Sequence, residues 1–243
     1  MAAFRFINLL MVIAALAFSA GAAYVFFGRT EIDEVEARLS AYEQRIESQI
    51  PLAEAGDVKA QYLLGRLLRF GEGRTHNLRQ AVRWFNSAAA HGHSGAQYEL
   101  GKMYARGEGV AQSYHRAVEW FGLAARVGRH RSAQFALGEL YFLGRGVDVD
   151  YLDAHDWFQK AALRNHPIAQ YYLGEMYEKG WGVKRNLIEA FKWYNLSVRR
   201  AREVRAHDEN RDPEISLRNL KSRMNKSQLS AGEKAVKAWR PAQ

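Results

Sequence analysis

The chain has 243 residues, 48% hydrophobic and 25% charged, with a formal net charge of +9 and no cysteine. Without cysteine it has no thiol nucleophile, and the composition fits either side of a redox boundary. The surplus of positive charge raises nucleic acid as a partner, but the aromatic residues recur at core-packing positions instead of alternating with Lys and Arg on one face, so nucleic acid is set aside.

Phe6 to Phe27 is a run of 22 residues without a charge, broken only by Asn8 and Ser19 besides small residues. About 20 apolar residues, each rising 1.5 Å, span a hydrocarbon core of about 30 Å. Residues 1–28 therefore read as a transmembrane anchor. Ala20-Gly21-Ala22 resembles a small-x-small cleavage site, which makes a cleaved signal peptide the competing reading. Continuation of the run through Tyr24-Val25-Phe26-Phe27 favours the uncleaved anchor. Positive charges nearly balance, with Arg5 and the amino terminus on one side and Arg29 and Arg38 on the other. The short, signal-like flank favours an inside N-terminus and places the rest of the chain outside the cytoplasm.

Residues 29–56 follow as a juxtamembrane segment. Ile32, Val35, Leu39, Tyr42 and Ile46 fall at 3-4-3-4 spacing, about two heptads of an apolar seam. One reading is a helix that caps the next element; the other is a coiled coil that forms a homodimer through residues 31–46. Pro51 is expected to end or kink this helix.

From Asp57 to Arg199 one pattern recurs four times. Ala-Gln pairs stand at Ala60-Gln61, Ala96-Gln97, Ala133-Gln134 and Ala169-Gln170, giving a period of 36, 37 and 36 residues. Leu64-Gly65, Leu100-Gly101, Leu137-Gly138 and Leu173-Gly174 keep step, as do Trp84, Trp120, Trp157 and Trp193. Such a period marks stacked supersecondary units, none able to bury its apolar face alone. The first half of each unit has helical periodicity. Glycine inside a helix costs about 1 kcal/mol relative to alanine, so four copies imply a close approach by a neighbouring helix. Gly71, Gly107, Gly144 and Gly180 suit C′ positions at positive φ. Asn77, Ser113, Asp150 and Asn186 read as N-caps of a second helix, with Asp153 and Glu189 in its first turn. Each tryptophan is expected to be the buried plate wedged against the small residues of the first helix.

This pattern, A-Q-[YF]-x-L-G-x-[LM]-[YL]-x-x-G-x-G-[VR] followed by A-x-x-W-[FY], resembles the Sel-one-like repeat, a relative of the tetratricopeptide repeat with a longer inter-helix turn. Leu68 and Arg74 depart from it in the first copy, and an extra residue sits near Gly128-Arg129. The resemblance implies an all-α solenoid of four helix-turn-helix repeats. It also implies an adaptor or scaffold that holds other proteins together, often at a membrane or in the bacterial envelope. With the anchor, it places the chain in a bacterial inner membrane, single-pass, facing the periplasm; an exported soluble protein is the alternative.

Residues 200–243 are basic. From Arg199 onward twelve Lys and Arg stand against six Asp and Glu, so six of the nine net charges lie here. Asp212-Pro213 reads as an N-cap with proline at N1, starting a helix to about Met224; a second helix is expected from about Gln228 to Trp239. The segment reads as a helical cap over the last repeat. A basic patch for anionic lipid or polymer is the alternative.

Catalytic and metal chemistry find little support. His93, His130 and His166 share one repeat position, filled by Asp57 in the first copy. Equivalent atoms in successive rungs are about 10 Å apart, whereas a zinc ion needs its ligands at about 2 Å. These histidines are therefore expected to be turn residues at the start of each first helix. The Gly-x-Gly pairs follow helices and lack a Gly-Lys-Ser/Thr ending, unlike phosphate loops. No nucleophile elbow is present, and no metal, cofactor or small-molecule substrate is expected.

What remains is the exposed side of the first helices, expected to line a concave face. Subtracting core positions leaves Leu63, Arg66, Arg69 and Phe70 in the first copy, and Glu99, Lys102 and Arg106 in the second. Ala136, Glu139, Phe142 and Leu143 remain in the third, and Tyr172, Glu175, Glu178 and Lys179 in the fourth. The face runs from basic, through an apolar step, toward acidic. Apolar anchors flanked by charges suit a protein partner, so the chain reads as a non-catalytic scaffold. A cell-wall or anionic-polymer binder using the C-terminal segment is the runner-up.

Overall fold

A computed structural model describes residues 29–71, 76–127 and 130–242. The anchor segment Phe6–Phe27 lies outside the described residues, as does the irregularity at Gly128-Arg129. No helix among the described residues is long and apolar enough to cross a membrane. Twelve helices and no strand appear among them. The chain divides into two compact units, Met1–Ala81 and Val82–Gln243.

In the first unit, α1 (Arg29–Glu54) packs on α2 (Val58–Phe70). Val35, Leu39, Tyr42 and Ile46 are half-buried, and most residues between them are exposed. Pro51 neither ends the helix nor sits at its last residue: α1 continues to Glu54. Pro51 is exposed and one turn from the terminus, where a missing N–H removes a single rung. The last turn is held instead by Ala53, 2% exposed, whose carbonyl accepts from Gln61 Nε2 at 3.1 Å. Asp57 caps α2, its side chain accepting from Ala60 N at 2.8 Å. Gly71 departs from the expected left-handed cap, with φ −65° and ψ 163°.

The division falls within α3 (Leu78–Ala90). The second unit continues with α4 (Ser94–Arg106), α5 (Tyr114–Arg126), α6 (Arg131–Leu143), α7 (Tyr151–Leu163), α8 (Pro167–Lys179) and α9 (Leu187–Val198). These pair as hairpins α4–α5, α6–α7 and α8–α9, and α5 packs on α6 and α7 on α8, so the hairpins stack in chain order.

The helix-interior glycines explain the pairing. A Cβ on Gly101 would come within 2.5 Å of the Phe121 ring, one on Gly138 within 2.8 Å of Phe158, and one on Gly174 within 2.5 Å of Tyr194. The buried plate is thus the residue after each tryptophan. Phe85, Phe121, Phe158 and Tyr194 are 0, 3, 0 and 2% exposed, while Trp84 and Trp120 are half-buried and Trp157 and Trp193 reach burial from the flank. This corrects the expectation for Trp84 and Trp120, whereas Trp157 and Trp193 are buried as expected. Ala117, Phe121 and Ala124 fall at i, i+4 and i+7, one face of the helix, and Trp120 lies about 100° around from Phe121.

The Ala-Gln pair has two structural jobs. Ala96, Ala133 and Ala169 are fully buried. Gln97, Gln134 and Gln170 donate through Nε2 to the carbonyls of Ala89, Ala125 and Ala162, at 3.3, 3.3 and 3.4 Å. Those carbonyls lie in the last turn of the preceding helix, where acceptors lack helical partners. Between the helices of a hairpin, the turn is tied by Ser113 N to Tyr104 O, Asp150 N to Tyr141 O and Asn186 N to Tyr177 O, at 2.9, 3.0 and 2.9 Å. Gly146, at φ 75°, lets this turn press on the start of the previous hairpin's second helix: a Cβ would stand 2.4 Å from the Tyr114 carbonyl carbon.

After α9 come α10 (Ala201–His207), α11 (Pro213–Lys221) and α12 (Lys226–Ala238). The sequence did not announce α10; the two later helices lie close to their expected spans, α11 ending three residues short of Met224. Asn225 and Gln228 form a capping box at the start of α12. Helix α10 packs on α8, and α11 and α12 pack on α9. Val204 and Leu220 are fully buried, and Gly232 meets the Phe191 ring, where a Cβ would approach to 2.6 Å.

Candidate interaction groove

The first helices of the stacked hairpins share one face, and their N-caps set its floor. His93, His130 and His166 Nδ1 accept from Ala96, Ala133 and Ala169 N at 3.1, 3.3 and 3.3 Å. Each histidine is therefore neutral with its proton on Nε2, since a doubly protonated ring has no acceptor. Burial holds all three below the usual histidine value, and His166 is pushed down to about 3, by burial first and then by Arg131, Arg200 and neighbouring histidines. The cap ring of one hairpin stacks on the aromatic of the previous one: Tyr98 on His130 and Phe135 on His166, each with centroids 4.7 Å apart. These histidines sit where the sequence placed them, at helix starts, with the added role of a stacking surface.

The acidic end of the face is covered by the chain itself. Residues 201–223 reach α6 through His207 and α8 through Arg211 and Arg223, and these three side chains meet the carboxylates that the sequence left over. His207 Nε2 is 2.7 Å from Glu139 Oε1, Arg211 pairs with Glu175, and Arg223 pairs with Glu178. The Arg211 guanidinium lies 4.3 Å from the Tyr172 ring centroid, a cation–π contact. Tyr171 Oη and Ser216 Oγ are 3.0 Å apart.

Several residues predicted to be free for a partner belong to the core. Tyr172 is 3% exposed and Phe142 is 9% exposed. Phe142 meets Tyr151, Tyr172 and Trp181 edge to face, with centroids 5.3, 5.3 and 5.5 Å apart. The subtraction failed because it assumed the hairpin alone defines the core, whereas the next hairpin and the returning segment also use this face. Burial, and next the Glu139 carboxylate, raise the Tyr172 phenol above its usual value, so it stays a donor, to Glu139 Oε1 at 3.4 Å. Glu99 is 8% exposed and bonded to Lys102 at 3.4 Å. Leu143 and Lys179 remain exposed.

In the first unit, Arg69 is likewise buried, at 3% exposed, with its guanidinium 4.9 Å from the Phe70 ring centroid. Phe70 and Arg66 are exposed and Leu63 is half-buried.

Between α4 and α6, the face stays open as a groove of about 330 Å³, with His207 of the returning segment in its lining. Lys102, Arg106, Ala136 and Glu139 of the predicted residues line it, joined by Tyr98, Tyr114 and Arg145. Sequence reasoning missed these last three. Tyr98 was visible as the aromatic after Ala-Gln, and Arg145 as the charged residue inside Gly144-Arg-Gly146. Among the described residues no group of three or more His, Asp or Glu side chains could hold a metal ion.

Hairpins capped in series, with a shared groove and a terminal segment closing one end, define a helical-repeat scaffold. The chain belongs to the Sel1 repeat family: Sel1 repeats match at residues 58–93, 94–128, 131–166 and 167–200. It is similar to a protective antigen present in uropathogenic Escherichia coli strains, at 31% identity and a TM-score of 0.69 over 80% of this chain. The match spans 40% of the length of that protein. It is also similar to a Sel1 repeat protein from Oxalobacter formigenes, at 30% identity and a TM-score of 0.62, over 71% of this chain and 70% of that one. No curated protein matches the chain. Sel1 repeat proteins generally mediate protein–protein interaction and act as non-enzymatic scaffolds.

Proposed function

We propose that this protein is a membrane-tethered scaffold of the bacterial envelope that holds a protein partner in the groove between α4 and α6. The observation that carries the reading is the division of the face. Its acidic half already seats a polypeptide segment, residues 201–223, through charge pairs and aromatic contact. The remaining half presents half-buried Tyr98 and Tyr114 beside exposed Arg106 and Arg145. Large aromatics with flanking arginines are the residue types that dominate binding energy at interfaces. The uncharged run Phe6–Phe27 has the length of a membrane span and supports the tether. Pairing of Arg211 and Arg223 with Glu175 and Glu178 removes two of the cations that an anionic-polymer site in the C-terminal segment would use.

A photo-crosslinking residue placed at Ala136 in the intact protein tests the reading in cells. A discrete protein adduct from Ala136, absent when the same residue is placed at exposed Lys234, is the expected result. Adducts from Lys234 alone would overturn it. A periplasm-dependent phosphatase fused after Gln243 should be active if the repeats face the periplasm, and a mature N-terminus near Ala23 would replace the tether by an exported soluble form.

A further inference from the structure

We infer that the open half of the groove selects an acidic polypeptide segment, which would lie in line with the chain's own segment at His207. This inference rests on the proposed function and adds the chemistry of the partner. The face is divided by charge, and its acidic half shows the rule by which it is filled: Glu139, Glu175 and Glu178 receive His207, Arg211 and Arg223. The open half has the opposite balance. Glu139 is the one carboxylate in its lining among the described residues, and His207 and Tyr172 engage it; Glu99, behind Lys102, is buried and bonded to that lysine.

Its exposed rim is cationic on both sides. Arg106 ends α4, and Arg145 sits in the turn after α6 with its guanidinium 5.6 Å from the Tyr114 ring centroid. Arg145 has no carboxylate partner among the described residues, and Arg106 meets Glu108 at 3.4 Å on an exposed surface, where such a pair holds weakly. A guanidinium lying over a ring keeps its N–H edge for a planar, bidentate acceptor, and a carboxylate is such an acceptor. The strip between the two arginines is floored by Tyr98, Phe121 and Phe135, so an extended chain with acidic side chains and an aromatic residue fits both features. A neutral segment would leave the rim arginines uncompensated, and a basic one would set like charge against Arg106 and Arg145.

The experiment uses the full-length protein in detergent micelles and a fluorescein-labelled peptide of alternating Asp, Glu and Tyr, read by anisotropy. Neutral and lysine versions of the peptide, a sulfated polysaccharide, and vesicles rich in phosphatidylglycerol are run beside it. The acidic peptide should bind best. Arg106→Glu with Arg145→Glu should weaken it by at least about tenfold, with an unchanged melting temperature, while Lys234→Glu with Lys237→Glu in α12 should not. Equal binding of the neutral peptide overturns the inference, as does loss of binding only in the α12 variant, or groove-dependent binding of the polysaccharide or vesicles at the strength of the peptide. If Ala136 crosslinks a protein in cells and charge reversal changes nothing, the scaffold reading stands and the acidic specificity falls.

Discussion

The ring of Phe121 lies on the bare Cα of Gly101, so close that a methyl group there would stand 2.5 Å from two ring carbons. That relationship recurs between Gly138 and Phe158 and between Gly174 and Tyr194. It gives the repeat its spacing, because one helix surface is cut away where the other presents its largest side chain.

Gly101→Ala and Gly122→Ala should therefore move stability in opposite directions. Both sites are helical, so each gains up to about 1 kcal/mol of helix propensity from alanine. At Gly122 the new Cβ would meet only the Arg126 side chain, at 3.5 Å, an ordinary contact. At Gly101 it drives into a ring that is 3% exposed, and overpacking of this kind costs about 1–3 kcal/mol. Urea denaturation should show Gly122→Ala more stable than the parent and Gly101→Ala less stable. A stabilised Gly101→Ala would mean that the ring is free to move aside.

The aromatic pair in each second helix gives a second contrast. Phe158 is fully buried, with Phe135, Phe142 and Tyr172 around it at centroid distances of 5.7, 6.1 and 4.8 Å. Phe158→Ala should cost about 3–5 kcal/mol. Trp120 lines a surface hollow with Tyr104, Arg116 and Leu123, and Trp120→Ala should cost well under half of that. Thermal unfolding of the two variants separates the roles, and equal losses would place Trp120 in the core beside Trp157 and Trp193.

Much of this fold could be read from the sequence, because its signals are local. The period, the N-caps Asn77, Ser113, Asp150 and Asn186, and the glycine notch all act within one hairpin. Where two aromatics are adjacent, as at Trp120-Phe121, composition does not say which faces inward; the Ala117 and Ala124 register does. The groove was legible only in part. The acidic drift of Glu139, Glu175 and Glu178 and the basic tail were both visible, but their pairing joins residues 68, 36 and 45 positions apart. Nothing in a repeat's own pattern specifies such a return, and so Phe142 and Tyr172 were counted as free.

Acid should unfold the second unit through its caps. The folded-state value of His166 is about 3 against an ordinary 6.5. Between these values the unfolded chain binds a proton that the folded chain does not, so stability is complete above about pH 7.5 and falls as pH drops through 6.5 toward 3. One such group contributes a slope near 1.4 kcal/mol per pH unit, hence about 2 kcal/mol between pH 7 and 5. Depressed values at His93 and His130 add to it. His166→Asn keeps a good cap without a titrating ring. It should lower stability at pH 7, where the stack on Phe135 is lost, yet flatten the dependence between pH 7 and 5 by roughly one proton. An unchanged slope in urea titrations across that range would show that His166 is not the group responsible.

Arg211 is the pin of the returning segment. It pairs with Glu175, bonds Asp208 at 3.0 Å and lies over Tyr172, with its side chain 19% exposed. Removing it leaves Glu175 facing Tyr172 without its cation, and breaking a partly buried pair of this kind should cost about 2 kcal/mol, below the 3–5 of a fully buried one. Arg211→Lys should recover less than half of the loss, because an ammonium can neither bond two carboxylates in one plane nor stack on the ring as a guanidinium does. The effect should be local in hydrogen exchange. Amides of α10 and α11 should exchange faster in Arg211→Ala, while those of α4 and α5, which make no contact with the segment's ion pairs, keep the parent rate. The charge swap Arg211→Glu with Glu175→Arg should restore part of the protection, since the pair is re-formed in reverse. Protection of α10 and α11 that is indifferent to Arg211 would mean that Val204, Leu217 and Leu220 hold the segment by burial alone, and that the ion pairs set only its register along the acidic half of the face.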